Sequence, residues 1–393
     1  MAVSRRVVLI GSLAIPLIGI WTLAAWGRQS RLAAECFTLY ALVLVGVVEL
    51  ARRRGRRPAG WMVTALAVLH LGVLAPEVGL RLAGFRYEPG IRFGYPRPHQ
   101  LGELRRDETL FWTLRPETPG VSPQGFQTLP LPRSREPGRA RAVFLGDSVA
   151  FQGYPEMAAA LLDERRPGRW EVVNLSLSGY SSHQGRKLME LYGEAMAADV
   201  VVVGYGWNDH WLAWVAVDAE QEPPSPSPSE SWLAALLHRS RIVQLARRLT
   251  GAGPRRPLDQ VRVPLAEYRE NLVAIGEAAA ARGAVPLLLT LPSSHAKLGV
   301  PDYLLDRRFA TDAASAVELH RTYNRTVREV AAEHGWAVLD LETEVESLPA
   351  EDLESLFVAD GIHLTAPGLS LFARRVADRL DELVPAGAEE PER

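Results

Sequence analysis

From Ala140 onward the sequence alternates between short apolar runs and longer stretches with helical periodicity, and this alternation restricts the fold most. The predicted strands are Ala142–Leu145, Glu171–Leu175, Val200–Gly204, Pro286–Leu291 and Ala337–Leu341. The predicted helices are Glu156–Arg165, Gln184–Ala197, Leu265–Arg282, Ala314–Glu333 and Pro367–Leu383. Apolar runs without strict alternation are typical of strands buried on both faces. Such βαβ order predicts a parallel sheet covered by helices, with ligands bound beyond the carboxyl ends of its strands.

The first 82 residues contain apolar runs that approach the length of a membrane span, about 20 residues. Val7–Trp26 contains no charged residue, and Leu32–Leu50 carries only two acids. Trp61–Leu82 reaches that length only by including Glu77 and Arg81. These runs predict two to three transmembrane helices. For the third run, an amphipathic helix lying on the membrane surface is the alternative.

Arginine residues predict the orientation of these helices. Arg5 and Arg6 precede the first run, and the basic stretch Arg52–Arg57 follows the second. The positive-inside rule places both groups in the cytoplasm. Three spans would then put everything after about residue 83 outside the cytoplasm, whereas two spans would keep it inside. We expect a multi-pass protein of the cell membrane with an extracytoplasmic domain.

Composition excludes several other classes of site. The 393-residue chain has a formal net charge of -2, which gives no general signal for nucleic-acid binding. Its one cysteine, Cys36, excludes a disulfide framework or a thiolate zinc site within the chain. We find no phosphate-cradling glycine loop and no metal-ligand spacing such as HExxH. We therefore expect no cofactor and no metal.

Changes in composition divide the chain into four parts. We expect a membrane anchor over residues 1–82, a connector with short hairpins over 83–139, a catalytic domain over 140–385 and a tail over 386–393. The stretch Glu222–Ser231 is rich in Pro and Ser, and a basic helix-like segment, Trp232–Leu249, follows it. This insertion predicts a lid, an anionic-substrate surface or simply a solvated surface excursion.

Two short motifs contain residues suited to nucleophilic catalysis. Ser148 ends "FLGDS" at a strand-to-helix turn, where a hydroxyl would need a base to become a nucleophile. His363 is the best base candidate, because Asp360 three residues earlier can hold its tautomer. Taken alone, the first motif is also typical of a helix N-cap and the second of an ordinary turn.

An oxyanion formed at such a serine needs preorganised donors. The backbone N–H groups of Ser148 and Gly179 are candidates, together with the side chain of Asn208. A glycine at position 179 would allow close approach of the backbone. Individually, Gly179 is also typical of a turn and Asn208 of a strand-end cap. Their order along the chain, at strand ends, favours a common site.

Other polar and aromatic residues have two interpretations each. His210 is either a rival base or a packing residue at a strand end. Trp207, Trp211 and Trp214 would either stack on sugar rings or pack in the core. His295, in "LPSSH" beyond a strand end, is a weaker candidate for contact with substrate.

The candidate residues lie in four motif blocks, which contain in chain order Ser148, Gly179, Asn208, and Asp360 with His363. These four blocks, in this order, resemble the SGNH hydrolases, a branch of the GDSL-type esterases and lipases. The resemblance covers about 60% of the chain, from Ala140 to Leu383. It implies a flavodoxin-like three-layer α/β/α fold, with Ser148 as nucleophile, Asp360 and His363 as its partners, and Gly179 and Asn208 as oxyanion donors. The first block reads "FLGDSVAFQG", without the leucine after GDS, so a strict lipase-like subtype is not implied.

Together these features predict a membrane-anchored serine esterase that hydrolyses an acyl ester, acetyl among the candidates, on an extracytoplasmic glycan or lipid. An acylated small molecule, glycan or lipid is the expected binding partner. Two alternatives stay open. The same acyl-enzyme would serve an O-acyltransferase, and the fold would also suit a non-catalytic glycan-binding component of an envelope complex.

Overall fold

The computed structural model describes most of the chain beyond the apolar N-terminus. The described residues are 75–85, 87, 95–96, 100, 102–128, 130–131, 136–214, 216–221, 237, 239–250, 260–307 and 309–384. The chain divides into two compact units. One comprises residues 1–88 and 231–253, and the other comprises residues 89–230 and 254–393. The predicted strands and helices of the α/β domain lie in the second unit.

A five-stranded parallel sheet forms the centre of this second unit. Its strands are β3 (Ala140–Gly146), β4 (Trp170–Asn174), β5 (Val200–Gly204), β6 (Val285–Thr290) and β7 (Ala337–Asp340), and they follow an antiparallel pair formed by β1 (Leu104–Asp107) and β2 (Phe111–Leu114). The sheet order is β4-β3-β5-β6-β7, and every neighbouring pair is parallel. This is the doubly wound order of flavodoxin-like folds. The predicted parallel sheet is confirmed.

Twelve helices occur within the described residues, and five of them match the predicted helices to within about two residues. In chain order they are α1 (Ala75–Leu82), α2 (Ser148–Phe151), α3 (Tyr154–Arg165), α4 (Ser182–Met196), α5 (Arg241–Leu249), α6 (Leu265–Ala280), α7 (His295–Leu298), α8 (Asp302–Asp306), α9 (Ala313–His334), α10 (Leu341–Ser347), α11 (Ala350–Leu356) and α12 (Ala366–Leu383). A single 3₁₀ turn covers Asp218–Glu220.

Alternate residues of the central strands pack into two separate cores, one on each face of the sheet. Ala142 and Phe144 of β3 contact the core that contains side chains of α3 and α12. Val143 and Leu145 of the same strand contact the core that contains side chains of α4, α6 and α9. A strand presents successive side chains to opposite faces, so apolar residues at every position bury both faces. Three layers result.

The first unit is described mainly through two helices. Glu77 of α1 accepts hydrogen bonds from the amides of Arg241 (2.9 Å) and Ile242 (3.0 Å) at the start of α5, and from Ser240 Oγ (2.9 Å). Its carboxylate is also paired with Arg81 (2.8 Å). The acid thus supplies acceptors that the first turn of a helix lacks.

The predicted spans Val7–Trp26 and Leu32–Leu50 lie outside the described residues. Of the third, Trp61–Leu82, the structure describes only the part from Ala75, which forms the eight-residue helix α1. Across the described ranges, no helix combines the length and apolar character that crossing a membrane requires.

Candidate active site

The carboxyl ends of the three strands β3, β4 and β5 bring the first motif blocks together. β3 pairs with β4 on one side and β5 on the other, with Gly146 opposite Gly204. Ser148 follows β3 by two residues, and Gly179 and Asn208 follow β4 and β5. All three lie at the edge where doubly wound sheets bind ligands.

Ser148 is the first residue of helix α2, and Asp147 caps that helix. The Asp147 carboxylate accepts from the amide of Val149 at 2.9 Å, which fixes the turn between strand and helix. A Cβ at Gly146 would lie 3.0 Å from Ser176 Oγ and 3.0 Å from the Ala150 Cβ. The turn is therefore tight, and it presents the Ser148 hydroxyl at a helix N-terminus, where negative charge is favoured.

Ser148, His363 and Asp360 form a continuous chain of hydrogen bonds. Ser148 Oγ lies 2.8 Å from His363 Nε2, and His363 Nδ1 lies 2.6 Å from Asp360 Oδ2. Since the carboxylate accepts from Nδ1–H, Nε2 is free to accept the serine proton. Chemically, this order suits abstraction of the hydroxyl proton during attack on a carbonyl carbon.

Asp360 also holds its own turn. Its second carboxylate oxygen accepts from the amides of Ile362 (2.9 Å) and His363 (2.8 Å). Gly361 has a φ of 71°, which favours glycine, and a Cβ there would lie 2.6 Å from the ring of His295. The local spacing Asp-Gly-x-His therefore produces both the turn and the orientation of the imidazole.

Two residues outside the predicted set support this turn. His295 Nε2 donates to the carbonyl of Asp360 at 2.7 Å, and the His295 ring is buried. Gln152, at the end of α2, donates to the carbonyl of Leu364 (3.1 Å) and accepts from its amide (2.9 Å). Gln152 thereby joins the helix that begins with Ser148 to the segment that follows His363. "LPSSH" drew attention to His295, whereas no local pattern pointed to Gln152.

The charges around His363 favour its protonated form. Burial opposes protonation of the imidazole, but the hydrogen bond and charge of Asp360, with the charge of Asp147, raise the pKa of His363 above its ordinary value. Burial also opposes ionisation of Asp360, but the contacts from His363 and Ile362 lower the pKa of this carboxyl. Asp360 is therefore ionised at neutral pH and stabilises the imidazolium.

Asn208 connects the other two blocks. Its side-chain Nδ2 donates to the carbonyl of Tyr180 (3.0 Å) and lies 3.5 Å from Asp147 Oδ2. Asp147 precedes Ser148, and Tyr180 follows Gly179, so this one amide touches the neighbours of both predicted backbone donors. Gly179 has a φ of 86°, in the region that favours glycine. The structure thus brings together all five predicted site residues: Ser148, Gly179, Asn208, Asp360 and His363.

The sequence profile of the GDSL-like Lipase/Acylhydrolase family matches residues 144–370, more than half of the chain and all of this site. The chain belongs to this family. It is an acylhydrolase of the GDSL type, as the resemblance of its motif blocks predicted. No curated protein matches this chain.

Several solved structures are similar to this acylhydrolase. A lipase/acylhydrolase from Enterococcus faecalis is 18% identical, with a TM-score of 0.40 over 62% of this chain and 96% of its own. An acetyl xylan esterase, AlAXEase, is 14% identical, with a TM-score of 0.39 over 61% and 99%. The psychrotrophic esterase EstA from Pseudoalteromonas sp. is 12% identical, with a TM-score of 0.37 over 62% and 97%.

Of the remaining histidine and tryptophan candidates of this acylhydrolase, His210, Trp207 and Trp211 are buried, whereas Trp214 is partly exposed. His210 Nε2 donates to His320 Nδ1 (3.1 Å), because His320 Nε2–H is used by the carbonyl of Leu291. The ring of Trp207 stacks on His320 with centroids 3.7 Å apart. Burial lowers the pKa of His210 to about 3, so the ring stays neutral. Of the two interpretations of His210 and Trp207, the structure therefore supports packing in the core.

Metal ligation has no support in the described part of this acylhydrolase. Among the residues that the structure describes, no group of three or more His, Cys, Asp or Glu side chains is arranged to hold an ion.

Proposed function

We propose that this acylhydrolase is a serine esterase with Ser148 as nucleophile, His363 as general base and Asp360 as the carboxylate that orients the base. The observation that supports it most is the hydrogen-bonded chain from Ser148 Oγ through His363 to Asp360, with distances of 2.8 Å and 2.6 Å. In the first step the Ser148 proton passes to His363 Nε2 while Oγ bonds to the ester carbonyl carbon.

The tetrahedral intermediate carries its negative charge on the former carbonyl oxygen. We assign the amides of Ser148 and Gly179 and the Asn208 side chain as donors to this oxyanion, each typically contributing about 3–4 kcal/mol to transition-state stabilisation. His363 then returns the proton to the leaving alcohol, and the acyl-enzyme forms. In the second half-reaction His363 takes a proton from water, whose oxygen attacks the acyl carbon. The bond from this carbon to Ser148 Oγ then breaks, His363 returns the proton to Oγ, and the acid is released.

The proposed substrate is an acyl ester, acetyl in the simplest case, carried by a glycan or a lipid outside the cytoplasm. The apolar runs before residue 82 and the arginines that flank them support a membrane anchor with this orientation. The site is an open one, since the His363 side chain retains 35% of its exposure. Openness of this kind suits an acyl group attached to a bulky carrier.

Replacement of the nucleophile tests the catalytic assignment. Ser148→Ala should abolish hydrolysis of p-nitrophenyl acetate and covalent labelling by a fluorophosphonate, because the alanine has no atom to form the acyl-enzyme. Ser355→Ala, at an exposed serine on α11, is the control and should keep both. Undiminished turnover in Ser148→Ala would remove Ser148 from the mechanism.

A separate experiment tests the proposed membrane topology. The full chain, with an epitope at its C-terminus, should stay in the membrane fraction of a bacterial host after a carbonate wash. Three spans predict that protease added to intact spheroplasts removes the epitope. If the epitope is digested only after permeabilisation, the catalytic unit is cytoplasmic and the extracytoplasmic substrate is wrong.

A further inference from the structure

The loop that contains Gly179 is held by side chains from three distant parts of the chain. Three consecutive carbonyls of this loop each accept a hydrogen bond from one of them. The pairs are Trp112 Nε1 to Ser178 O (3.3 Å), Arg262 Nη1 to Gly179 O (2.9 Å) and Asn208 Nδ2 to Tyr180 O (3.0 Å). Only the last of these donors belongs to the proposed catalytic set.

Two of these bonds control the peptide planes on either side of Gly179. In a trans peptide the C=O and N–H groups are coplanar and point in opposite directions. Trp112, by holding the carbonyl of Ser178, therefore sets the direction of the Gly179 N–H. Arg262 holds the plane that follows. A glycine with positive φ has no side chain to restrict it, so its amide direction depends on such external contacts.

Arg262 is itself held by a buried carboxylate. Its Nε and Nη2 atoms donate to Asp218 Oδ1 (3.1 Å) and Oδ2 (2.8 Å) in a bidentate pair. The two side chains are 1% and 0% exposed. Asp218 Oδ2 also accepts from Ser181 Oγ (2.7 Å), two residues after Gly179. The pair thus contacts the loop at two points, and planar bidentate geometry leaves little freedom at either.

These holding residues come from segments outside the βα units of the sheet. Trp112 belongs to β2, and the Tyr180 hydroxyl donates back to its carbonyl at 2.6 Å. Asp218 and Arg262 lie on the segments that flank residues 222–259, where the Asp218 amide donates to the Arg262 carbonyl at 2.8 Å. A buried ion pair is seldom a large source of net stability, because desolvation offsets the attraction. Its contacts with the Gly179 loop therefore suggest a positional role.

We propose that Trp112 and the Arg262–Asp218 ion pair are positioning residues that aim the Gly179 N–H at the oxyanion. This inference rests on the proposed role of Gly179 as an oxyanion donor. It adds residues of the connector and of the segments flanking the insertion to the determinants of the reaction rate. None of the three side chains touches the reacting atoms; each acts through the backbone of the loop.

Kinetic measurements on variants of Arg262 and of a second buried arginine, Arg141, distinguish a positioning role from a purely stabilising one. Arg262→Met should lower kcat for p-nitrophenyl acetate by about 10²-fold with KM nearly unchanged, because a misdirected donor is lost mainly in the transition state. Its affinity for an alkyl trifluoromethyl ketone, which forms a tetrahedral oxyanion on a serine, should fall by a similar factor. Arg262→Lys, which keeps one charged donor, should recover part of both losses.

Arg141→Met is the control. This arginine is also 1% exposed, pairs with Glu171 at 2.9 Å and donates to the carbonyl of Met196 at 2.7 Å, near the opposite end of the strands. It should lower the thermal midpoint while leaving kcat and ketone affinity at their wild-type values. If Arg141→Met and Arg262→Met lose activity equally, the Arg262 pair is merely structural and the inference is wrong.

A tryptophan pair decides the point independently, even if Arg262→Met fails to fold. Trp112→Phe removes the ring N–H contact with Ser178, together with part of a buried ring, and should lower kcat about tenfold at constant KM, as expected for a lost hydrogen bond of moderate strength. Trp170→Phe removes an equivalent bond, to Asp381 at 3.1 Å, and should not change kcat. Wild-type kcat in Trp112→Phe would overturn the inference, whereas activity in Ser148→Ala would overturn the proposed function instead.

Discussion

At the scale of single residues, Asp360 has two separate tasks. One carboxylate oxygen accepts from two backbone amides and shapes the turn, and the other accepts from His363 Nδ1. The second task affects protonation of the base, because it is the main influence that raises the pKa of His363 against the opposing effect of burial. A general base must be neutral, so activity should increase as pH rises through this raised pKa and level off above it.

Asp360→Asn should shift the acid limb of the pH–activity profile, which is the part where activity rises with pH. The amide carries no charge, so the pKa of His363 should fall, and the rise of kcat/KM should shift to lower pH. The plateau should drop by roughly four orders of magnitude, because the amide also permits the wrong imidazole tautomer. Profiles of kcat/KM between about pH 5 and 9 measure both effects. Asp352→Asn, at an exposed acid of α11, is the control, and an unmoved or alkaline-shifted limb would contradict the assignment.

The residues that the sequence predicted and those that it missed differ in the range of their contacts. Asp360 and His363 are three residues apart, so their spacing alone indicates a turn that joins them. Gln152 bonds Leu364 across 212 positions, and Arg262 bonds Gly179 across 83. No periodicity or motif signals such contacts, because they depend on how strands and loops are ordered in the sheet. The sequence therefore could not predict the long-range contacts that hold the site, whereas it did predict the residues that we propose to react.

At the scale of elements, the predicted strands agree with the structure because burial on both faces leaves uninterrupted apolar runs. The short helices α2, α7 and α10 were not predicted, since four to seven residues are too few to show helical periodicity. The sequence also contained no indication of which helices and strands approach each other closely. Gly185 of α4 faces Tyr205 beyond β5, and a Cβ there would lie 2.4 Å from that ring.

Two glycines of α4 give a matched test of this packing. Gly185→Ala should lower the free energy of unfolding by about 1–3 kcal/mol, because the buried ring of Tyr205 must move. At Gly193 the nearest atoms belong to Arg282 and Met189 at 3.3 Å and 3.4 Å, and both side chains are flexible. Gly193→Ala should be neutral or stabilise by up to about 1 kcal/mol through helix propensity.

Urea unfolding of both variants measures these differences. Since the two substitutions share one helix and one chemical change, propensity contributes equally to each. Equal effects at the two positions would show that the approach of α4 to Tyr205 does not limit packing.

At the scale of the whole molecule, stability should depend on a buried acid next to the site. Asp209 is fully buried; one oxygen accepts from the Ser182 amide at 2.9 Å, and the other has no partner within the described residues. Burial raises the pKa of Asp209 to about 7. The folded-state pKa of Asp209 is thus higher than its unfolded value near 4. The stability that the protonated carboxyl contributes is therefore fully present below about pH 4 and is lost as pH rises to about 7.

Asp209→Asn separates the effect of Asp209 on stability from that of the buried histidines. Their lowered pKa values destabilise the fold toward acid pH, which is the opposite dependence. The asparagine keeps an acceptor for Ser182, and any strain that it adds is independent of pH. Relative to wild type, the variant should therefore gain stability between pH 4 and 7, by a total on the order of 4 kcal/mol. Urea unfolding at about pH 4.5, 6 and 8 measures the difference, with Asp352→Asn as the exposed control. A wild-type–variant difference that stays constant across this range would show that Asp209 does not titrate with folding, and that the interior beside Asn208 solvates its charge.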